Sequence, residues 1–210
     1  MKRMLLSTAG IFSITLICYG QGTVNFSTRV SGVVVGHVYD FDPHDRQAFG
    51  SFGNTASETP AGTRTYAGAL LAGSGFSAQL WAANGLDQPA SMLIPVSPIV
   101  FFRTGAILGG TPTPIIVAVP GIPAGGTGTF QVRAWGNFGN PSTPFEAGLP
   151  SGASQPFNVT NLGDGVLTLP ADMVGFRSFS IAYGPEPGPL ALLTLGGLGL
   201  LIFRRKKLSS

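Results

Sequence analysis

The chain of 210 residues is poor in charged side chains, and the few it has are unevenly placed. Only 10% of the residues are charged, and residues 21–184 contain no lysine. The formal net charge of +3 comes from the two ends, which carry half of the twelve lysines and arginines: Lys2, Arg3, Arg204, Arg205, Lys206 and Lys207. Between the ends, six arginines face eight acids, so the body of the chain is mildly acidic. This distribution argues against a nucleic-acid partner, which needs a basic patch on the folded domain.

Residues that carry covalent or acid–base chemistry are also scarce. The chain has one cysteine, Cys18, and two histidines, His37 and His44. A hydrolase arrangement can be drawn from His44, Asp42 and a serine, but no Gly-x-Ser-x-Gly sequence marks a nucleophile. We therefore expect a protein that is not an enzyme and that needs no cofactor.

The N-terminus has the pattern of a secretory signal. Lys2 and Arg3 precede the uncharged, largely apolar residues 4–19, and Gly20 follows before the composition turns polar. A basic start, an apolar stretch and a small residue at its end are typical of a cleaved signal peptide. We expect residues 1–20 to be removed between Gly20 and Gln21, with a retained membrane anchor as the alternative. Cleavage there also removes Cys18, leaving a body that contains no thiol.

The C-terminus combines three features in order. The tripeptide Pro185, Glu186, Pro187 is followed by an apolar run at residues 190–203 and then by the basic cluster at residues 204–207. As a helix the run is about 21 Å long, against about 30 Å for the hydrocarbon core of a bilayer. Such a short run is more often a buried core helix, but it lies at the chain end and stops at four cations, which can extend to the lipid headgroups. We expect a marginal membrane helix, with both termini cytoplasmic and the body outside.

These C-terminal residues resemble the PEP-CTERM protein-sorting signal of Gram-negative bacteria. The resemblance implies export by the general secretory route, transient membrane anchoring, and recognition near Pro185, Glu186 and Pro187 by an exosortase, a membrane cysteine protease. It also implies a mature protein at the cell surface or in the extracellular matrix, where exopolysaccharide is a further partner. In this interpretation the basic cluster of Arg204, Arg205, Lys206 and Lys207 stops the helix at the cytoplasmic face, and residues 185–210 form the sorting segment.

The body at residues 21–184 is long enough for one domain with a sizeable core. Its eighteen aromatic residues argue against disorder although it is rich in glycine and proline. Short alternating runs separated by turn residues predict strands, and nothing sustains a helical period. The expected strands are residues 23–26, 33–39, 76–81, 99–103, 115–119, 130–135, 155–159 and 177–183. We predict an all-β fold, an antiparallel β-sandwich or jelly roll.

Two of the expected strands have matching sequences. Phe76–Ser–Ala–Gln–Leu–Trp81 and Phe130–Gln–Val–Arg–Ala–Trp135 each alternate apolar and polar residues, so they can pair with both tryptophans on one face. If Trp81 and Trp135 are exposed there beside Gln79 and Arg133, they form a platform on which sugar rings stack. This is the basis of an alternative function, a carbohydrate-binding module for extracellular polysaccharide. The favoured interpretation, however, packs both tryptophans in the core between the sheets or under a loop.

The body also resembles the cargo of Verrucomicrobia-type PEP-CTERM proteins. The resemblance rests on four short elements, residues 22–26 (Gly-Thr-Val-Asn-Phe), 78–81 (Ala-Gln-Leu-Trp), 102–105 (Phe-Arg-Thr-Gly) and 132–135 (Val-Arg-Ala-Trp). It implies a shared lineage and fold, and no catalytic residues.

One acidic cluster is a weak candidate for calcium. Asp40, Asp42 and Asp45 have the spacing Asp-x-Asp-x-x-Asp. Calcium prefers six to eight oxygen ligands, and the glycine and terminal glutamate of a helix-loop-helix calcium site are missing. A solvated turn after the strand at residues 33–39 is the favoured interpretation, so we expect no metal.

Overall fold

The computed structural model describes residues 20–41, 50–140, 142–147 and 150–183. Within these ranges the protein is all-β, as expected, and its only helices are two single 3-10 turns at Ala90–Met92 and Phe145–Ala147. None of the described segments is a helix long and apolar enough to cross a membrane. The expected signal segment up to residue 19 and the expected sorting segment at residues 185–210 lie outside the described residues.

Thirteen strands, β1 to β13 in chain order, make up the described fold. They are Gln21–Phe26, Arg29–Val30, Val34–Val35, Val38–Tyr39, Gly73–Asn84, Ile94–Pro95, Val100–Phe102, Ile115–Pro123, Gly128–Gly136, Ser151–Ala153, Phe157–Val159, Ala171–Asp172 and Phe179–Ser180. Six strands form the larger sheet, in the order β10-β9-β5-β6, with β11 also pairing with β9 and β7 with β5. A three-stranded sheet has the order β12-β1-β8, and two strand pairs, β13-β4 and β2-β3, complete the fold.

The two predicted matching strands are the centre of the larger sheet. β5 and β9 pair antiparallel over nine residue pairs, with Leu80 opposite Val132 and Ala82 opposite Phe130. All four of these side chains are buried. They form one core with Val24 and Phe26 of β1 and with Val117 and Val119 of β8. The period-two pattern of the sequence therefore identified the inner face of this sheet correctly, because alternate side chains of a strand point to opposite faces.

The strand expected at residues 33–39 is interrupted. It forms two short strands, β3 and β4, separated at Gly36 and His37. A Cβ atom at Gly36 would lie 2.7 Å from the ring of Phe176, and the amide of His37 donates to Ser178 Oγ (2.8 Å) instead of to a neighbouring strand. The close packing of residues 176–178 against this point thus breaks the ladder.

The strand expected at residues 177–183 is reduced to the two residues of β13. The backbone is extended, but its hydrogen bonds go to several segments in turn. Ser180 N donates to Ser51 O, Ile181 N to Tyr39 O, and Ala182 N to Ser151 O. The segment holds distant parts of the chain together and so has no single partner strand.

Candidate functional site

The residues of the expected tryptophan platform do lie on one face of the β5–β9 pair. Gln79 is opposite Arg133, Trp81 is opposite Gln131, and Trp135 is opposite Ser77. The two indoles are therefore on the same face but four residue pairs apart along the strands, with the Gln79–Arg133 pair midway between them.

Trp135 does not contribute to an exposed platform. Its side chain is 0% exposed, its Nε1 donates to Thr143 O (2.9 Å), and the ring of Phe145 packs edge-on at 5.7 Å. For Trp135 the structure agrees with the favoured interpretation, packing under a loop, and not with the alternative of an exposed platform. The loop that contains Thr143 and Phe145 covers the indole, a contact between segments that strand alternation does not reveal.

The half-buried Trp81 is covered by an arginine. The guanidinium of Arg133 lies 3.5 Å from the centre of the Trp81 ring, which is cation–π geometry. Arg133 is fixed there, because its Nε donates to Gln131 Oε1 (3.0 Å) and its Nη2 to Ala90 O (3.3 Å). Burial lowers the pKa of Arg133, and the charge of Glu146 opposes that shift. A sugar ring cannot stack on the indole face that this guanidinium occupies.

Gln79, the fourth residue of the expected platform, is also engaged. Its Nε2 donates to Ser97 O (2.9 Å). Together with the contacts of Arg133, this bond joins the sheet to the segments around Ala90 and Ser97. The cluster is a structural connection between the sheet and its loops, in which Arg133 lies over one face of the Trp81 ring.

The weak calcium candidate receives no support from its one described member. Asp40 Oδ1 accepts a hydrogen bond from the Phe41 amide (2.7 Å), which is turn chemistry. Asp42, Asp45 and His44 lie outside the described residues. Within the described part of the chain, no three acidic, histidine or cysteine side chains are grouped as metal ligands.

The other histidine belongs to a buried polar cluster that the sequence did not reveal. His37 Nδ1 lies 2.8 Å from Oε1 of Glu58, whose side chain is almost completely buried. Because a carboxylate only accepts, Nδ1 is the donor in this contact. Tyr39 donates its hydroxyl to the same oxygen (3.0 Å), and the Thr55 amide donates to Glu58 Oε2 (2.5 Å).

The environment of Glu58 favours its ionised form. Burial by itself raises the pKa of this carboxyl, but hydrogen bonds from His37, the Thr55 amide, Ser178 and Tyr39 outweigh it and lower the pKa below its usual value. The carboxylate therefore fixes the segment around residues 55–58 against β4.

Two stacked tyrosines extend the same cluster. The rings of Tyr39 and Tyr66 are nearly parallel, with centres 4.0 Å apart. Tyr66 donates its hydroxyl to the backbone oxygens of Gly53 (2.6 Å) and Ser178 (3.0 Å). Burial, followed by the charge of Glu58, raises the pKa of both tyrosines well above the ordinary value, so both are neutral donors at physiological pH.

A polar groove of about 530 Å³ lies beside this cluster. One wall is the segment from Phe52 to Arg64, and the other is formed by Gln155 and Arg177. Its size is within the range of small-molecule sites in proteins, and polar surface dominates its lining. Among the described residues that line it, two are cationic and none is acidic.

Each cation of the groove is held by neighbouring groups. Arg64 donates from Nη2 to Ser51 Oγ, and its guanidinium lies 6.0 Å from the centre of the Tyr66 ring. Arg177 donates from Nη1 to the backbone oxygen of Phe176 (3.1 Å). The sequence shows Arg64 and Arg177 as isolated arginines 113 positions apart, and only the tertiary fold brings them to one groove.

A second surface feature is an apolar loop at residues 164–169. Asp164 Oδ1 accepts hydrogen bonds from the amides of Val166, Leu167 and Thr168 at 2.7–2.8 Å, which lower the pKa of Asp164 to about 2. The side chains of Val166, Leu167 and Leu169 are almost fully exposed. The loop therefore presents aliphatic surface on a fixed backbone.

Comparison of the chain with protein-family models, with curated proteins and with solved structures finds no match.

Proposed function

We propose that this protein is a non-catalytic component of the bacterial cell surface or extracellular matrix, exported and then sorted through a PEP-CTERM signal. Its partners in this proposal are the secretion machinery, the membrane and an exosortase. The larger sheet and the β12-β1-β8 sheet contribute to one core and are interpreted as an antiparallel β-sandwich, in which the pairs β1–β12 and β4–β13 are parallel exceptions. In this proposal a signal helix precedes the body and a transmembrane sorting helix follows it. The proposal rests on the order of Pro185, Glu186 and Pro187, the apolar run and the basic cluster in the sequence.

One structural observation supports the proposed division of the chain. Strand β1 begins at Gln21, and Gly20 before it is exposed. At the other end, Ala182 still exchanges hydrogen bonds with Ser151, whereas Tyr183 is exposed. Cleavage near Pro185 would leave these hydrogen bonds in place, and cleavage after Gly20 would remove one bond of the body, from the Ala124 amide to the Gly20 carbonyl (3.0 Å).

The sorting proposal is tested by replacing both prolines of the motif. Pro185→Ala with Pro187→Ala is expected to leave a full-length, membrane-retained form, while Pro189→Ala, just outside the motif, is the matched control. Fractionation and intact mass of the protein from membrane, surface and medium measure the outcome. Release of a correctly shortened protein from the double variant would contradict the proposal.

The second candidate function is binding of extracellular polysaccharide. The observation that favours it is the groove between the Phe52–Arg64 segment and Gln155 with Arg177, which is open and carries two cations. This moves the candidate binding surface away from Trp81 and Trp135, whose rings are covered by Arg133 and by the loop around Phe145.

A further inference from the structure

We infer that strand β8 pairs along its free edge with β8 of a second copy of this chain, with Ile116 of one copy opposite Ala118 of the other. This pairing goes beyond the proposed function and does not depend on it, because the surface belongs to the described body alone. It joins two three-stranded sheets into one continuous sheet of the order β12-β1-β8-β8-β1-β12.

The free edge of β8 follows from the hydrogen bonds of its neighbour. Among the described strands, β8 pairs with β1 alone. In β1, Thr23 turns its N–H and C=O away from β8, since both exchange hydrogen bonds with Gly163 (2.7 and 3.1 Å). Thr23 is opposite Ala118, and two residues of such a pair turn these groups away from each other, so those of Ala118 point to the far side of β8. Because successive residues alternate, Ile116, opposite Asn25, points the same way.

Ile116 and Ala118 are accessible at this edge. Both side chains are exposed, that of Ile116 to 67%, whereas Val117 between them is buried in the core. Within the described part of the chain, no hydrogen bond engages the N–H and C=O groups that these two residues direct away from β1. A row of unpaired backbone groups at a sheet edge is a surface to which a further strand adds.

The sequence of β8 contains nothing that repels a second copy. Natural sheets keep their edges apart with charged side chains, lysine above all. No residue between Arg103 and Arg133 is charged, and residues 21–184 contain no lysine. Residues 115–119 are all aliphatic, and four of the five are β-branched, which favours strand pairing.

The partner is a second copy because the free edge is symmetric about Val117. Next to Val117, Ile116 and Ala118 each offer a donor and an acceptor. Two residues further out on each side, Pro114 and Pro120 have no N–H to offer. An antiparallel pairing centred on Val117 sets Ile116 opposite Ala118 of the second copy, and it sets the two prolines opposite each other.

This register uses all the free groups of the edge. The N–H and C=O of Ile116 and Ala118 in both copies form four hydrogen bonds, and none of these groups is left unpaired. A shift of two residues would set a carbonyl of Ile116 or Ala118 opposite a proline, which cannot donate to it. A single register is therefore favoured.

The size of the contact determines its strength. Two residues a side pair directly, against about 20–30 residues a side in a standard interface. The exposed side chain of Ile116 adds an apolar contact with Ala118 of the second copy. Association is therefore weak and depends on the protein concentration. Because both copies use the same surface, the contact closes at two copies and does not propagate into a fibre.

The test measures self-association of the full-length protein, in detergent of matched density, by sedimentation equilibrium. We expect the dimer fraction to rise as the protein concentration approaches about 1 mM. Ala118→Pro removes the outward N–H, which β1 does not use, and so deletes two of the four bonds. Its dimer dissociation constant is expected to rise at least tenfold, which corresponds to about 1.4 kcal/mol. Ala118→Val keeps the N–H at the same position and, as the matched control, is expected to pair as the wild type does.

A second pair of variants decides the test if Ala118→Pro does not fold, which its circular dichroism reveals. Ile116→Lys places a positive charge on the edge of each copy and is expected to abolish the dimer at the same concentrations. Val174→Lys places the same charge on another exposed aliphatic residue, just after β12 at the opposite side of the sheet. This variant is expected to dimerise as the wild type does.

Amide hydrogen exchange at Ile116 and Ala118 locates the contact. Both amides are expected to exchange rapidly in dilute protein and more slowly as the dimer forms. A monomer at about 1 mM protein, an undiminished dimer in folded Ala118→Pro, or equal loss of the dimer in Val174→Lys would overturn the inference. Growth beyond two copies, or exchange at these amides that does not change with concentration, would overturn it as well.

Discussion

Replacing Trp135 is the sharpest test of the described fold. Truncation of an exposed indole would cost little unfolding free energy, whereas truncation of a covered indole would cost much. In the structure Trp135→Ala empties a completely buried site and leaves the Thr143 carbonyl without its indole donor. Truncation of a large buried aromatic side chain typically costs about 3–5 kcal/mol of unfolding free energy. For a domain of this size, that corresponds to a fall in melting temperature of about 10 °C.

Two variants separate the contributions. Trp135→Phe keeps much of the ring contact with Phe145 but leaves the Thr143 carbonyl unpaired, for which we expect a loss of about 1–3 kcal/mol. Trp81→Ala removes a half-buried ring and its cation–π contact with Arg133, for which we expect about 2 kcal/mol. The order of stability should therefore place Trp135→Ala lowest.

The assay is urea unfolding followed by far-ultraviolet circular dichroism. The chain contains only two tryptophans, so the fluorescence of each single variant reports the other one alone. A loss below about 1.5 kcal/mol in Trp135→Ala, or a larger loss in Trp81→Ala, would refute the argument that the loop at Thr143 and Phe145 buries Trp135.

The remaining predictions concern the cluster around Glu58. Because hydrogen bonds lower the pKa of folded Glu58, its contribution is complete above the unfolded value of about 4.3 and is lost as the pH falls. Glu58→Gln should therefore lose about 2–3 kcal/mol at pH 7, and pH-dependent urea unfolding should show this gap shrinking below about pH 4. A gap independent of pH would contradict the ionised carboxylate. Because the pKa values of Tyr39 and Tyr66 are raised, their stabilising effect is complete below about pH 10 and is lost above it. In an alkaline absorbance titration both should ionise only as the protein unfolds, and ionisation of every tyrosine in the folded state would contradict this.

The sequence was informative where one physical pattern dominates a whole segment. The alternation in residues 76–81 and 130–135 predicted β5, β9 and their inward faces, because burying one side of a strand requires a period of two. The same reasoning failed at residues 33–39 and 177–183. There the hydrogen-bond partners are single residues of distant segments, such as Ser178 for His37 and Ser51 for Ser180.

The side-chain clusters of the candidate site could not be predicted from the sequence for a related reason, since they join residues of distant segments. In the sequence Glu58 is an isolated acid in a turn-rich stretch. In the structure its carboxylate accepts hydrogen bonds from His37 and Tyr39, about twenty residues earlier in the chain. The expected pairing of the two strands places Arg133 as a polar residue on the same face as Trp81. Only the packing of side chains shows that Arg133 covers the Trp81 ring.

By itself, the sequence determined the composition of the body, its β character and the order of the C-terminal features that support the sorting proposal, because these depend on residue type and local spacing alone. The tertiary structure decided that Trp135 is buried and that Arg64 and Arg177 share one groove. Burial and side-chain proximity are set by how the strands and loops stack, and contacts between residues more than a hundred positions apart leave no local trace.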